Sequence, residues 1–158
     1  MPLACLAGRN AVMSVLDPWA EKVLVPHSGT FNANPVTMVA GRAAMERFDE
    51  SAVARLNRLG DLARAQIREA IQRTGAPACV TGTGSVFRIH FKPEPPRNHR
   101  EAFVTSAEKQ RQHTFLSSML DSEILLIETC SGMLSTAMTE REIEALSRAA
   151  FEALTKVF

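Results

Sequence analysis

His27-Ser28-Gly29-Thr30-Phe31-Asn32-Ala33-Asn34-Pro35-Val36-Thr37-Met38-Val39-Ala40-Gly41 joins a small polar turn to an abrupt helix start. Asn34 suits an N-cap, because its side-chain oxygen can accept from the first free backbone N–H groups. Pro35 follows at the first helical position, where a missing N–H costs nothing. The turn ahead of the cap offers a glycine backbone and the hydroxyls of Ser28 and Thr30. Two readings fit. One is a capped helix behind a tight turn. The other is a turn that holds a phosphate: small residues admit close approach, hydroxyls donate, and a helix N-terminus favours negative charge.

Upstream of this stretch, residues 2–9 read Pro-Leu-Ala-Cys-Leu-Ala-Gly-Arg, a short buried strand or apolar loop ended by Gly8. Asn10 to Leu16 is expected as a short helix capped by Asn10 and broken by Asp17-Pro18. Val23-Leu24-Val25 is a short strand candidate, closed by Pro26.

Downstream, a helix over 35–48 carries Val36, Val39 or Ala40, Ala43 and Phe48 on or near one side. Gly41 within it costs about 1 kcal/mol against alanine, which signals close packing. A second helix is expected from about 51 to 73. Val53, Leu56, Leu59, Ala63, Ile67, Ala70 and Ile71 recur there at three- and four-residue spacing. Its arginines, Arg55, Arg58, Arg64, Arg68 and Arg73, fall on other faces and read as a solvated charged surface. Gly75 ends the helix and Pro77 prevents its resumption.

Ala78–Thr81 and Val86–Phe91 read as two strands about the turn Thr81-Gly82-Thr83-Gly84-Ser85. Phe87, Ile89 and Phe91 point to one face, with Arg88 and His90 on the other. The turn lacks a P-loop lysine and leads into no helix, so a hairpin is expected rather than a phosphate cradle. His90 is expected at the surface. Residues 92–100 hold three prolines and form a loop. Thr105-Ser106-Ala107-Glu108 is a capping box that opens a helix to about Leu120. Ile124-Leu125-Leu126-Ile127 suits a central strand. Thr139-Glu140-Arg141-Glu142 is a second capping box. It opens a last helix with Ile143, Leu146, Ala150, Leu154 and Val157 on one stripe. Strands and helices thus mix, with an antiparallel hairpin, which is an α+β class from about residue 46.

The 158 residues suffice for a real core. A net charge of +1 argues against a dedicated nucleic-acid binder. Arg97-Asn98-His99-Arg100 is the longest basic cluster and reads as a solvated loop. Cys5, Cys79 and Cys130 are too few and too scattered for a disulfide framework or a zinc site. A reducing cytoplasm fits them, with Cys5 and Cys79 as buried fillers. No signal peptide is visible, and no apolar run approaches the roughly 20 residues that cross a bilayer. No metal site is expected, nor a membrane partner.

Gly29-Thr30-x-x-x-Asn34-Pro35-x-x-x-x-Ala40-Gly41 resembles a motif of the class III aminotransferases, most of all the glutamate-1-semialdehyde 2,1-aminomutase group. Gly8-Arg9 resembles the end of a segment that follows the family's catalytic lysine. Gly132-Met133-Leu134-Ser135-Thr136-Ala137-Met138-Thr139 resembles a segment near the family's C-terminus. The resemblance runs over nearly the whole chain. Ala33 stands where glycine is usual, and Cys130 stands where the aminomutases carry a glutamate.

The resemblance implies the small C-terminal domain of a fold-type I pyridoxal-phosphate (PLP) transferase, with a leftover edge of the large domain at the N-terminus. Residues 1–33 would be the large-domain remnant, 34–48 a bridging helix, and 49–158 the small domain. It implies amino-group transfer with a small-molecule amino donor. It assigns Gly29 and Thr30, with Ser28 as a weaker candidate, to the cofactor phosphate across a homodimer interface, and a structural role to Arg9. Lys22, Lys92, Lys109 and Lys156 match no family lysine, so no catalytic residue is assigned. On this reading the chain begins after the Schiff-base lysine and depends on the missing N-terminal part. A non-catalytic paralogue acting as a dimerising or scaffold domain is the alternative.

Overall fold

The computed structural model describes residues 6–158. Expectations for Met1 to Cys5, including a buried Cys5, lie outside the described residues. The chain divides into two compact units, one up to Asp49 and one over Glu50–Phe158.

In the first unit, α1 (Asn10–Met13) continues as a 3-10 turn over Ser14–Leu16. Asn10 is its first helical residue rather than its cap. Arg9 occupies the cap position and makes no side-chain capping bond. Val23-Leu24-Val25 is not a strand but a bend whose Val25 N–H donates to the Val15 carbonyl. A strand needs a partner ladder, and no strand adjoins it among the described residues. α2 (Pro35–Arg47) begins at the expected cap. Its apolar side is exposed, with Val36 at 62% and Val39 at 71%. The buried positions are instead Thr37 and Gly41, one turn apart.

The second unit is a three-stranded antiparallel sheet covered by three helices. α3 (Glu50–Thr74) buries Leu56, Leu59, Ala63, Ile67, Ala70 and Ile71, the expected stripe without Val53. Gly75 follows at φ +66°, a left-handed position that suits a glycine C-cap. β1 (Cys79–Thr81) and β2 (Val86–His90) form the expected hairpin, with Val80 opposite Ile89. α4 (Ser106–Asp121) starts at its capping box: Thr105 Oγ1 accepts from the Glu108 N–H, and the Glu108 carboxylate accepts from the Thr105 N–H at 2.7 Å. β3 (Ser131–Met133) adds to β2, giving the order β1-β2-β3. The run Ile124–Ile127 is not the central strand. It makes a single bridge, Ile127 to Ser131, where the chain doubles back at the sheet edge, and Leu125 is 83% exposed. α5 (Glu140–Val157) buries Ile143, Leu146, Ala150 and Leu154 against α3 and α4.

Three polar residues depart from expectation. Arg64 is buried rather than solvated, donating to the carbonyls of Gly84 and Val86 at 2.8 Å and pairing with Asp61. His90 is buried, with its Nε2 2.9 Å from Thr81 Oγ1. Cys79 is half-buried, whereas Cys130 is fully enclosed. No helix among the described residues is long and apolar enough to cross a membrane.

Candidate functional site

The turn at residues 28–34 is built by its own backbone. The Asn32 N–H donates to the Gly29 carbonyl at 2.9 Å, and the Asn34 N–H to the Phe31 carbonyl at 3.3 Å. A Cβ on Gly29 would lie 2.9 Å from the Asn32 side-chain oxygen, so a larger residue there would displace that side chain. Ala33 sits at φ +55°, the left-handed region that glycine enters at no steric cost. The turn is therefore left-handed at an alanine, at a cost of about 1–2 kcal/mol.

Asn34 caps α2 as expected, its Oδ1 accepting from Val36 N–H at 3.1 Å and Thr37 N–H at 3.2 Å. That bonding changes what the turn can offer an anion. Two of the helix's free N–H groups are taken by the cap, and Pro35 has none to give. What remains is upstream. Ser28, Gly29 and Thr30 are exposed, and neither hydroxyl has a hydrogen-bond partner among the described residues. The N–H groups of Gly29, Thr30 and Phe31 likewise have no backbone acceptor among the described residues.

The chemistry of this donor set fits a phosphate: it offers neutral N–H and O–H donors on an exposed turn with no carboxylate among residues 27–34. It fits only one side of a bound cofactor. Residues 28–34 include no lysine or arginine, and they provide no second wall for a ring. The three sequence-assigned residues are thus brought together by the turn itself, whereas the lysines are not gathered. Lys92 is held by Glu108 at 2.7 Å, and Lys22 and Lys109 are exposed. Arg9 is exposed, and its carbonyl accepts from Val12 and Met13. No cluster of three potential metal ligands occurs among the described residues.

Sequence reasoning missed two arginines that shape the second unit. Arg55 donates to the carbonyls of Thr136 and Met138 and so pins the Gly132–Thr139 segment. Arg64 holds the hairpin turn. Both act on carbonyls distant in sequence, which no local pattern announces.

No family model matches the chain. A glutamate-1-semialdehyde 2,1-aminomutase from Tropheryma whipplei is 30% identical over 151 residues, covering 94% of this chain and 31% of that protein. Among solved structures, an omega-transaminase from Sphaerobacter thermophilus superposes with a TM-score of 0.85 at 37% identity, covering 95% of this chain and 34% of that one. A transaminase with PLP bound superposes with a TM-score of 0.76 at 33% identity, covering 96% and 34%. The chain therefore spans about a third of the length of the proteins it matches. In sequence and in fold it belongs to the class III aminotransferases, the PLP-using family that includes the glutamate-1-semialdehyde 2,1-aminomutases, and corresponds to their C-terminal part.

Proposed function

We propose that these residues form the C-terminal part of an enzyme that moves an amino group between an amino acid or amine and a carbonyl compound. The observation that carries this reading is the match to the omega-transaminase over 95% of the chain at 37% identity. Bound PLP would supply the carbonyl that takes up the amino group and the ring that stores the electrons. Thr30 donates its hydroxyl to the cofactor phosphate, and the Gly29 and Thr30 N–H groups reinforce it, with Ser28 as a lesser donor. Asn34 and Pro35 fix the turn that presents them. The ring, and the lysine that holds it, belong to a second subunit of a homodimer or to a part of the enzyme outside these residues. On this reading residues 1–33 edge the large domain, 34–48 bridge, and 49–158 form the small domain of a cytoplasmic enzyme.

A chimera tests the assignment. The third of the Sphaerobacter thermophilus omega-transaminase that the chain matches is replaced by this chain. Its PLP affinity and amino transfer from several donors are then measured. The chimera is expected to bind PLP and turn over, and the 158 residues alone to show no turnover. Thr30→Ala should weaken PLP binding about 10- to 100-fold, since a hydrogen bond to a charged group contributes roughly 1.5–3 kcal/mol. A folded chimera whose PLP affinity ignores Thr30→Ala would reject the phosphate role. Stoichiometric PLP labelling of one lysine in the chain alone, with turnover, would reject the divided site.

A further inference from the structure

Arg88 stands apart from the other enclosed arginine of the second unit. Arg64 meets two carbonyls and a carboxylate. Arg88 projects from the face of β2 opposite Phe87 and Ile89, half-buried, and its Nε is fully enclosed without a hydrogen-bond partner among the described residues. It takes part in no ion pair there either. A guanidinium is always charged, and an enclosed N–H of it left without a partner is costly.

Arg88 lines a cavity of about 430 Å³ together with Val104, Lys109, His113, Leu116 and Glu128. Val104 and Leu116 give the cavity apolar wall. Lys109, exposed on α4, adds a cationic donor to the lining, and His113, one turn on, adds a ring nitrogen. The planar fork of arginine matches a carboxylate with two parallel hydrogen bonds. Glu128, on the exposed side, disfavours a multiply charged anion such as phosphate. We infer that this cavity binds a small carboxylic acid with an apolar body, its carboxylate on the Arg88 guanidinium and its chain against Val104 and Leu116. The site lies wholly within Glu50–Phe158 and is independent of the amino-transfer reading.

The probe is pentanoate, titrated into the ¹⁵N-labelled chain and followed at the Arg88 Nε–H resonance. 1-Pentanol, inorganic phosphate and sodium chloride at matched ionic strength serve as controls. A saturable shift with a Kd on the order of 1 mM is expected for pentanoate only. Arg88→Gln should weaken it about tenfold or more, since a charge-assisted pair is lost. If Arg88→Gln does not fold, the exposed Lys109→Gln decides, with a weakening of about twofold or more expected from the lost potential. No saturation by pentanoate, equal shifts with pentanol, saturation by phosphate alone, or binding that survives both substitutions would each overturn the inference.

Discussion

At the scale of single residues, burial decides chemistry that composition leaves open. By the family resemblance, Cys130 stands where the aminomutases carry a glutamate. It is fully enclosed at φ +57°, with its thiol pushed up to about 12 by burial, and Arg88 offsets only part of that. A carboxylate at so enclosed a point would need a partner to offset desolvation, which a neutral thiol does not. His90 makes the same point with a measurable consequence. Burial, and then the charges of Arg88 and Lys92, hold its imidazole below the ordinary 6.5. The unfolded chain therefore binds the proton more readily than the folded one. Stability is fully present above 6.5 and is lost as pH falls below it toward the folded value. The carboxylates of Glu101, Glu108 and Glu142 are held below their ordinary 4.5, so their contributions fade lower on the scale. Urea unfolding at about pH 7.5 and about pH 5.5 should show a lower midpoint at the acid value. His90→Gln should shrink that difference. A midpoint difference that His90→Gln leaves intact would assign the pH dependence elsewhere.

At the scale of elements, α3 and the hairpin approach closely through one face of the helix. A Cβ on Gly60 would lie 1.9 Å from the Gly84 carbonyl oxygen, and Arg64, one turn on, donates to that same carbonyl. Gly60→Ala gains helix propensity of about 1 kcal/mol. It also forces a backbone shift, and overpacking of this kind costs about 1–3 kcal/mol, with rigid backbone on the far side placing it at the upper end. A net loss of about 1–2 kcal/mol in urea unfolding is expected, and unchanged or higher stability would show that the turn yields freely. This contact also marks where sequence stops being informative. Caps at Asn34 and Thr105, the stripes of α3 and α5, and the alternation of Phe87, Ile89 and Phe91 were legible, because each is set by neighbours a few residues away. The helical pattern alone puts Arg64 on a solvated face, because its acceptors at 84 and 86 belong to another element. Ile124–Ile127 and Val23–Val25 looked like strands because an apolar run states a preference, whereas a ladder requires a partner. Asn34 was legible as a helix cap; that its side chain thereby withholds two helix N–H groups from the turn at 28–30 was not.

At the scale of the whole molecule, the two units differ in what they bury. Glu50–Phe158 encloses Ile67, Phe87, Ile89, Phe115, Met119, Ile143 and Leu154. Among the described residues before it, only Thr37 and Gly41 are buried, while Trp19 is 92%, Phe31 81% and Leu24 63% exposed. Backbone hydrogen bonds are protected in proportion to the apolar packing that must open to expose them. Amides of α3, α5 and β2 should therefore exchange slowly, near the global unfolding limit. Those of residues 10–47 should exchange many-fold faster, α2 included, because its N-cap satisfies donors without adding packing. Native-state hydrogen exchange read by mass spectrometry at low protein concentration checks this. Apolar groups so exposed also favour association. In the proposed homodimer they would gain cover, so protection of residues 10–47 should rise with concentration while that of Glu50–Phe158 stays fixed. Slow exchange throughout residues 10–47 in a demonstrated monomer would mean that the first unit is stable alone, and would remove the physical need for a covering partner.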